Sequence, residues 1–385
     1  MSLETVVDPR AVSSGSRMTL RVSPAADTGV DRLRVAVLAP PWIPVPPPGY
    51  GGIEAVVDLL CEALVACGHD VTLFASPGSR SAARVRSPLE AAHPDEIGSS
   101  LYESDHVASA WGEIDLASER GKPFDVVHDH SGFTALAMAD RVSAPVVHTV
   151  HGPFDQTTNH FYQRHGHKAR LVAISHSQAE SAPAGVLVAD VVANPIAVDR
   201  WPLRTEKQDY LLWVGRMHPT KGAHRAINAA RLAGRRLVLA GPIQPGQEKY
   251  YKELVEPHID GCTVHYIGEV AGRAKQELFA NAAGFLMPVR WREPFGMVMV
   301  EALACGTPVL AFGRGAAPEI VAPGVTGFLA NDDAGLIESV KHIDELDRAA
   351  CRAAVEGHFS ANRMVDDYVA LYDRVVAGDV PGLPR

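Results

Sequence analysis

Hydrophobic residues along this chain come in two textures. Short continuous runs rich in Val, Leu and Ala, such as LRVAVLAP at residues 33–40, read as strands buried on both faces of a parallel sheet. Longer segments carry apolar positions at helical spacing, first IEAVVDLLCEALVACGH from Ile53, which stops at Gly68 before the next run, DVTLFAS. Run, helix and run make a βαβ unit. Further strands are predicted at FDVVHDH, APVVHTVH and RLVAIS, so the first half reads as a doubly wound sheet. The polar stretch at residues 79–121, with HPDE and LYESDH, fits this rhythm poorly and is read as helices.

The alternation restarts at YLLWVGR, residues 210–216, and runs through AHRAINAARLAG, RRLVLAGP, CTVHYIGEV, AKQELFANA, GFLMPV, WREPFGMVMVEALACG and TPVLAF. Between the two series lies ANPIAVDRWPLRTEKQD, with two prolines and many charges, the composition of a hinge. Near the end, apolar residues at 364, 365, 368, 369, 371, 372, 375 and 376 predict a final amphipathic helix. The expected division is a disordered leader at 1–30, an N-terminal domain at 31–200, a second domain at 201–362, and a C-terminal helix and tail at 363–385.

Composition narrows the class. At 385 residues and 46% hydrophobic content the chain can bury two cores. A net charge of -9, from Lys+Arg 36 against Asp+Glu 45, does not favour nucleic acid as a partner. Five scattered cysteines without C-x-x-C spacing argue for reduced thiols and a cytoplasmic setting. No apolar run reaches the roughly 18 residues of a membrane span, which leaves peripheral membrane contact open.

Two doubly wound domains bind ligands at the carboxyl ends of their strands, and four loops there could carry chemistry. In PPPGYGGIEAVV, Gly51 and Gly52 precede a helix and could let backbone approach an anion; a plain strand-to-helix turn explains them equally. In WVGRMHPTKGAHRAI, Arg216 follows a strand and Lys221 precedes a helix, a pair suited to neutralising a diphosphate, with two solvated surface charges as the plainer alternative. The histidines of VVHDHSG and VVHTVHG, with Asp129 between His128 and His130, could hold zinc and make a hydrolase, or could be buried and satisfied. Strand alternation puts His128 and His130 on one face but His148 and His151 on opposite faces, which weakens the metal reading. Only His151, at a strand end before Gly152 and Pro153, stands where a ligand could reach it. In WREPFGMVMVEALACG, Glu293 precedes a helix and Glu301 lies within it; each could contact a ligand, or could respectively complement the helix dipole and be solvated.

Taken together these blocks resemble a known family. EPFGMVMVEALACGTPVLAFGRGAAPEIVAPGVTGFL is similar to the carboxyl-terminal signature of retaining glycosyltransferases of family 4, with its E-x7-E motif, and the VGR…KG, Gly-rich and HTVH segments match its other blocks over residues 33–376. The resemblance implies a GT-B fold, two Rossmann-like domains facing a central cleft, with the last helix crossing back to the first domain. It implies a nucleotide-sugar co-substrate, most simply UDP-linked, with no other cofactor and no catalytic metal. Arg216 and Lys221 would hold the diphosphate, Gly51 and Gly52 would close over it, and Glu301 would bind the ribose. Glu293 would contact sugar hydroxyls, with the amides of Phe295, Gly296 and Met297 aimed at sugar and phosphate. His151 would lie by the reacting face, the base near Gly268 to Val270, and Gly241 would line the cleft. NPIAVD, with Pro195 and Ala197, departs from the family's Asn-Gly-Ile-Asp-like hinge. An epimerase or a non-catalytic nucleotide-sugar-binding protein would use the same scaffold, while a zinc hydrolase would rest on His128, His130 and His151. The acceptor, the sugar and the oligomeric state are not written in these motifs.

Overall fold

In the computed structural model, residues 32–49 and 51–379 are described; the leader at 1–30 lies outside them. Thirteen strands occur among the described residues, in two all-parallel sheets. The first seven are β1 (Arg34–Leu38), β2 (Asp70–Phe74), β3 (Arg84–Arg86), β4 (Val126–Asp129), β5 (Val146–Val150), β6 (Arg170–Ala173) and β7 (Val188–Val191). They are ordered β3-β2-β1-β4-β5-β6-β7. The other six are β8 (Leu211–Val214), β9 (Leu237–Ala240), β10 (Val264–Tyr266), β11 (Gly284–Met287), β12 (Val309–Phe312) and β13 (Gly327–Ala330), ordered β10-β9-β8-β11-β12-β13. The same winding thus occurs twice: each series starts mid-sheet, steps outward for two strands, then returns to the other side. The reversal falls between β1 and β4 in one sheet and between β8 and β11 in the other, and such points bind ligands.

The chain divides into two compact units. One is Ala197–Ser360; the other joins residues 32–196 to 361–379. The central strands β4, β5 and β12 are buried throughout and β1 at all but Arg34, which is why they read as apolar runs. In the N-terminal unit the core gathers Leu38, Phe74, Trp111, Val127 and Leu171; in the other it gathers Leu211, Trp213, Ile227, Leu239 and Leu310. The last helix, Ala361–Ala377, belongs to the N-terminal unit and packs on the helix Gly52–Ala66.

The polar segment 79–121 contains an edge strand, β3, and a single long helix, Ser100–Glu119. That helix is polar but buries Val107, Ala110, Trp111 and Ile114, a stripe at spacings of three and four. All five cysteines are free thiols; Cys61, Cys305 and Cys351 are buried core residues, whereas Cys262 is exposed. Among the described residues no helix is long and apolar enough to cross a membrane.

Candidate functional site

Two loops of the Ala197–Ser360 unit converge at the carboxyl ends of β8 and β11. Trp213 on β8 donates from Nε1 to the Lys221 carbonyl at 3.1 Å, tying the loop after β8 to its own strand. Gly222 then caps the helix Ala223–Leu232 at φ 77, and a Cβ there would stand 2.6 Å from the Pro288 carbonyl oxygen. Only glycine lets these two loops pass so closely. Gly315, at φ +59, plays the same part for the second loop, since its Cβ would stand 2.4 Å from the Glu293 carbonyl oxygen.

The result is a direct ion pair. Lys221 Nζ donates to Glu293 Oε2 at 2.6 Å, with both side chains largely buried, and the ammonium lies 5.3 Å from the Trp291 ring centroid. The helix that follows starts at Met297 with Gly296 as its cap at φ 91, so Glu293 precedes it. Phe295 is buried, and the first amides of that helix are ones the helix itself leaves unpaired. Eight residues on, Glu301 is buried, and Lys275 Nζ reaches both of its oxygens at 2.7 Å. Glu301 is therefore paired rather than solvated. Arg216 is exposed and donates to Gln244 Oε1 at 3.0 Å.

Gly241 and Gly268 meet at the ends of β9 and β10. The Gly241 amide donates to the Gly268 carbonyl at 2.7 Å, and Tyr266 Oη donates to the Gly241 carbonyl at 2.9 Å. Gly241 sits at φ +136, where a Cβ would stand 1.9 Å from the Gly215 carbonyl oxygen, so a side chain has no room. Val270 is half-buried just beyond.

In the N-terminal unit the strand ends carry a cluster of histidines with one carboxylate, Asp129. His128 on β4 is fully buried and uses both nitrogens: Nδ1 lies 2.6 Å from Tyr372 Oη and Nε2 lies 2.8 Å from Thr149 Oγ1, which is 2.9 Å from Tyr368 Oη. His148 Nδ1 pairs with Asp129 Oδ2 at 2.5 Å, and the Ser131 amide and hydroxyl donate to Asp129 Oδ1. His130 Nδ1 lies 2.9 Å from His151 Nε2. Burial, reinforced by neighbouring imidazoles, holds His128 and His130 well below the usual histidine range and His151 down to about 3.

This geometry overturns the zinc reading of His128, His130 and His151. His128 has no nitrogen left for a metal, and among the described residues no group of three His, Cys, Asp or Glu is arranged to hold one. His151 itself is half-buried, at the end of β5. Its backbone is gripped on either side, since Gln178 Nε2 donates to the Val150 carbonyl at 2.8 Å and the Gly152 carbonyl at 2.7 Å. Gly51 and Gly52 open the helix Gly52–Ala66; a Cβ on Gly51 would stand 2.5 Å from Pro47 Cβ. Beside them Glu54 is buried, and burial raises its carboxyl above the usual range.

Lys275, Gln178, His130 as partner of His151, and the tyrosines Tyr368 and Tyr372 were not picked out by sequence. Lys275 lies within the helix Gly272–Asn281 and outside any motif; only its helical placement opposite Glu301 marks it.

Residues 197–353 match the family model described as glycosyl transferases group 1, and residues 50–200 match that described as Glycosyltransferase Family 4. The chain is 26% identical over 359 residues to a glycogen synthase of Mycobacterium tuberculosis (strain ATCC 25618 / H37Rv), covering 80% of this chain and 86% of the relative. It is similar to the crystal structure of AviGT4, a glycosyltransferase involved in avilamycin A biosynthesis, at 29% identity and a TM-score of 0.68 over 90% of this chain and 98% of that one. The Anabaena protein HepE, in complex with UDP and glucose, shares the fold at 20% identity and a TM-score of 0.65, over 89% of this chain and 100% of that one.

Proposed function

Since this chain belongs to glycosyltransferase family 4 and has the GT-B fold, we propose that it is a metal-independent, retaining hexosyltransferase that uses a UDP-linked sugar. The donor is held by the Ala197–Ser360 unit. Arg216 and Lys221 take the diphosphate, the amides of Phe295, Gly296 and Met297 face sugar and phosphate, and Glu293 binds sugar hydroxyls. Glu301, oriented by Lys275, takes the ribose, and the base rests by Gly241, Gly268 and Val270. In the N-terminal unit, His151 and the Gly51–Gly52 turn are the ligand-facing groups, and this unit binds the acceptor. That HepE is described with UDP and glucose supports the choice of donor.

The observation that carries this reading is the 2.6 Å contact between Lys221 and Glu293. Without ligand each neutralises the other; a diphosphate offers Lys221 a better anion, and Glu293 is then free to accept from sugar hydroxyls. As the C1–O bond to phosphate breaks, charge builds on the leaving diphosphate, where fixed cations and helix amides stabilise it most. The acceptor oxygen bonds to C1 on the face the diphosphate leaves, and its proton passes to a phosphate oxygen, so configuration is kept. A melting-temperature screen of UDP, UDP-hexoses and GDP-hexoses, with and without EDTA, tests this. A ligand at one hundred times its Kd adds about 2.7 kcal/mol to stability. UDP-hexoses are expected to stabilise most, unchanged by EDTA. No stabilisation by any nucleotide-sugar, or its loss on chelation, would overturn the proposal.

A further inference from the structure

His130 has no role in the reading above, yet it is the residue that touches His151. It is 2% exposed, its Nδ1 lies 2.9 Å from His151 Nε2, and its own Nε2 is buried with no hydrogen-bond partner. We infer that His130 is a positioning residue: it donates from Nδ1 to His151 Nε2 and so fixes His151 in the tautomer that carries its proton on Nδ1, where it presents an N–H to an oxygen of a bound ligand. This rests on the reading of His151 as a ligand-facing group.

One proton must lie between the two rings, and only two arrangements of neutral imidazoles place it there. If His151 Nε2 donates, His130 Nδ1 accepts and the His130 proton sits on Nε2, as a buried N–H with nothing to receive it. Orphaned buried N–H groups are rarer than under-satisfied acceptors. The nearby carboxylate cannot serve, because Asp129 already accepts from His148 on one oxygen and from the Ser131 amide and hydroxyl on the other. The ring beside it, His128 at 4.1 Å between centroids, spends both nitrogens on Tyr372 and Thr149. The opposite arrangement leaves His130 Nε2 as a bare lone pair and strands no proton. In water neutral imidazole prefers the proton on Nε2, so the Nδ1 form at His151 would be imposed by the protein.

Long-range proton–nitrogen correlation spectra of the full chain, labelled with ¹⁵N-histidine near pH 7.5, read the tautomer directly. The expected spectrum shows His151 protonated at Nδ1 and bare at Nε2. In H130N, whose amide nitrogen overlays the ring Nδ1, that pattern is retained; in H130L, His151 reverts to the Nε2-protonated form. With a nucleotide-sugar shown to be a donor, H130L is expected to lower kcat about 10-fold, the scale of one hydrogen bond, with donor KM within about twofold, and H130N to recover most of the loss. An Nε2-protonated His151 in the wild-type chain overturns the inference, as do equal losses in H130N and H130L. Should H130L fail to fold, the wild-type spectrum alone decides. Because the spectrum needs no transfer, failure of the donor screen and failure of this inference remain distinct results.

Discussion

The two units wind their sheets in the same order, yet end their central strands in opposite electrical styles. The Ala197–Ser360 unit places charges there, Lys221 with Glu293 and Lys275 with Glu301, each pair within 2.7 Å and partly screened from water. The N-terminal unit places mostly histidines there, His128 and His130 held neutral by burial and linked to tyrosine, threonine and His151, with a single carboxylate contact, His148 to Asp129. A partly buried ion pair can exchange one partner for a ligand of like charge, whereas breaking the hydrogen bonds of a fully buried histidine strands groups with no substitute. The same fold can therefore be built once to trade contacts and once to keep them.

The sharpest way to break this contrast is to remove one member of a pair. Glu293→Ala leaves Lys221 half-buried beside Trp291 but touches little of the core, so the fold is expected to survive. Transfer should nearly vanish: kcat/KM is expected to fall about 1,000-fold, on the scale of losing a transition-state contact in a dry site. Steady-state kinetics with the donor found by screening, beside circular dichroism and a melting curve, checks it. Near-normal activity would remove Glu293 from the chemistry.

How visible was this division in the sequence? The central strands were legible because burial on both faces leaves unbroken apolar runs, as in VVHD and VLAF. The edges were not. β3 reads Arg-Val-Arg with its arginines exposed, and β7 reads Val-Ala-Asp-Val, half-buried throughout; an edge strand need not be apolar, so its pattern fades. Glycines, cations and glutamates in loops could be weighed as candidates because strand-to-loop-to-helix transitions have short local signals. Contacts over long separations have none. Nothing in the linear chain joins His128 to Tyr372, 244 residues apart, or Lys275 to Glu301. The tautomer of His151 lies further off still, since it depends on which neighbouring acceptors are already engaged.

Acid should separate the units by stability rather than activity. The folded-state affinities of His106, His128 and His130 for a proton are lowered, to about 4 for His106 and well below the usual range for the others, mainly by burial. The unfolded chain takes up those protons near pH 6.5 while the native state does not, so the unfolded state binds more protons and stability falls as pH falls through that window. Each such histidine costs about 1.4 kcal/mol per pH unit below 6.5 until its folded value is reached. In the other unit His224 is lowered to about 4, by burial and nearby arginines, and only half-buried, so its share is smaller. Hydrogen exchange from pH 7 to pH 5, corrected for intrinsic rates, is expected to show the N-terminal unit opening first. Equal loss in both units would mean that the histidine network does not set acid stability.

The smallest expected effect tests whether that network holds the last helix. Tyr372→Phe keeps the ring and removes the hydroxyl 2.6 Å from His128 Nδ1, leaving one nitrogen of a fully buried imidazole unpaired. His128 Nε2 remains tied to Thr149, itself in contact with Tyr368, so the imidazole cannot turn to find a new partner without breaking a second bond. The cost is expected near 1–2 kcal/mol, read as a lower urea midpoint at constant slope. It should fall on the N-terminal unit, with exchange rising first in the helix Ala361–Ala377 and in β4, and with donor binding unchanged. A loss below about 0.5 kcal/mol would mean that ring packing of Tyr368 and Tyr372 holds the helix without the hydroxyl. Loosening of the Ala197–Ser360 unit would instead mean that the two electrical styles are not independently stable, and that the contrast between them is one of composition alone.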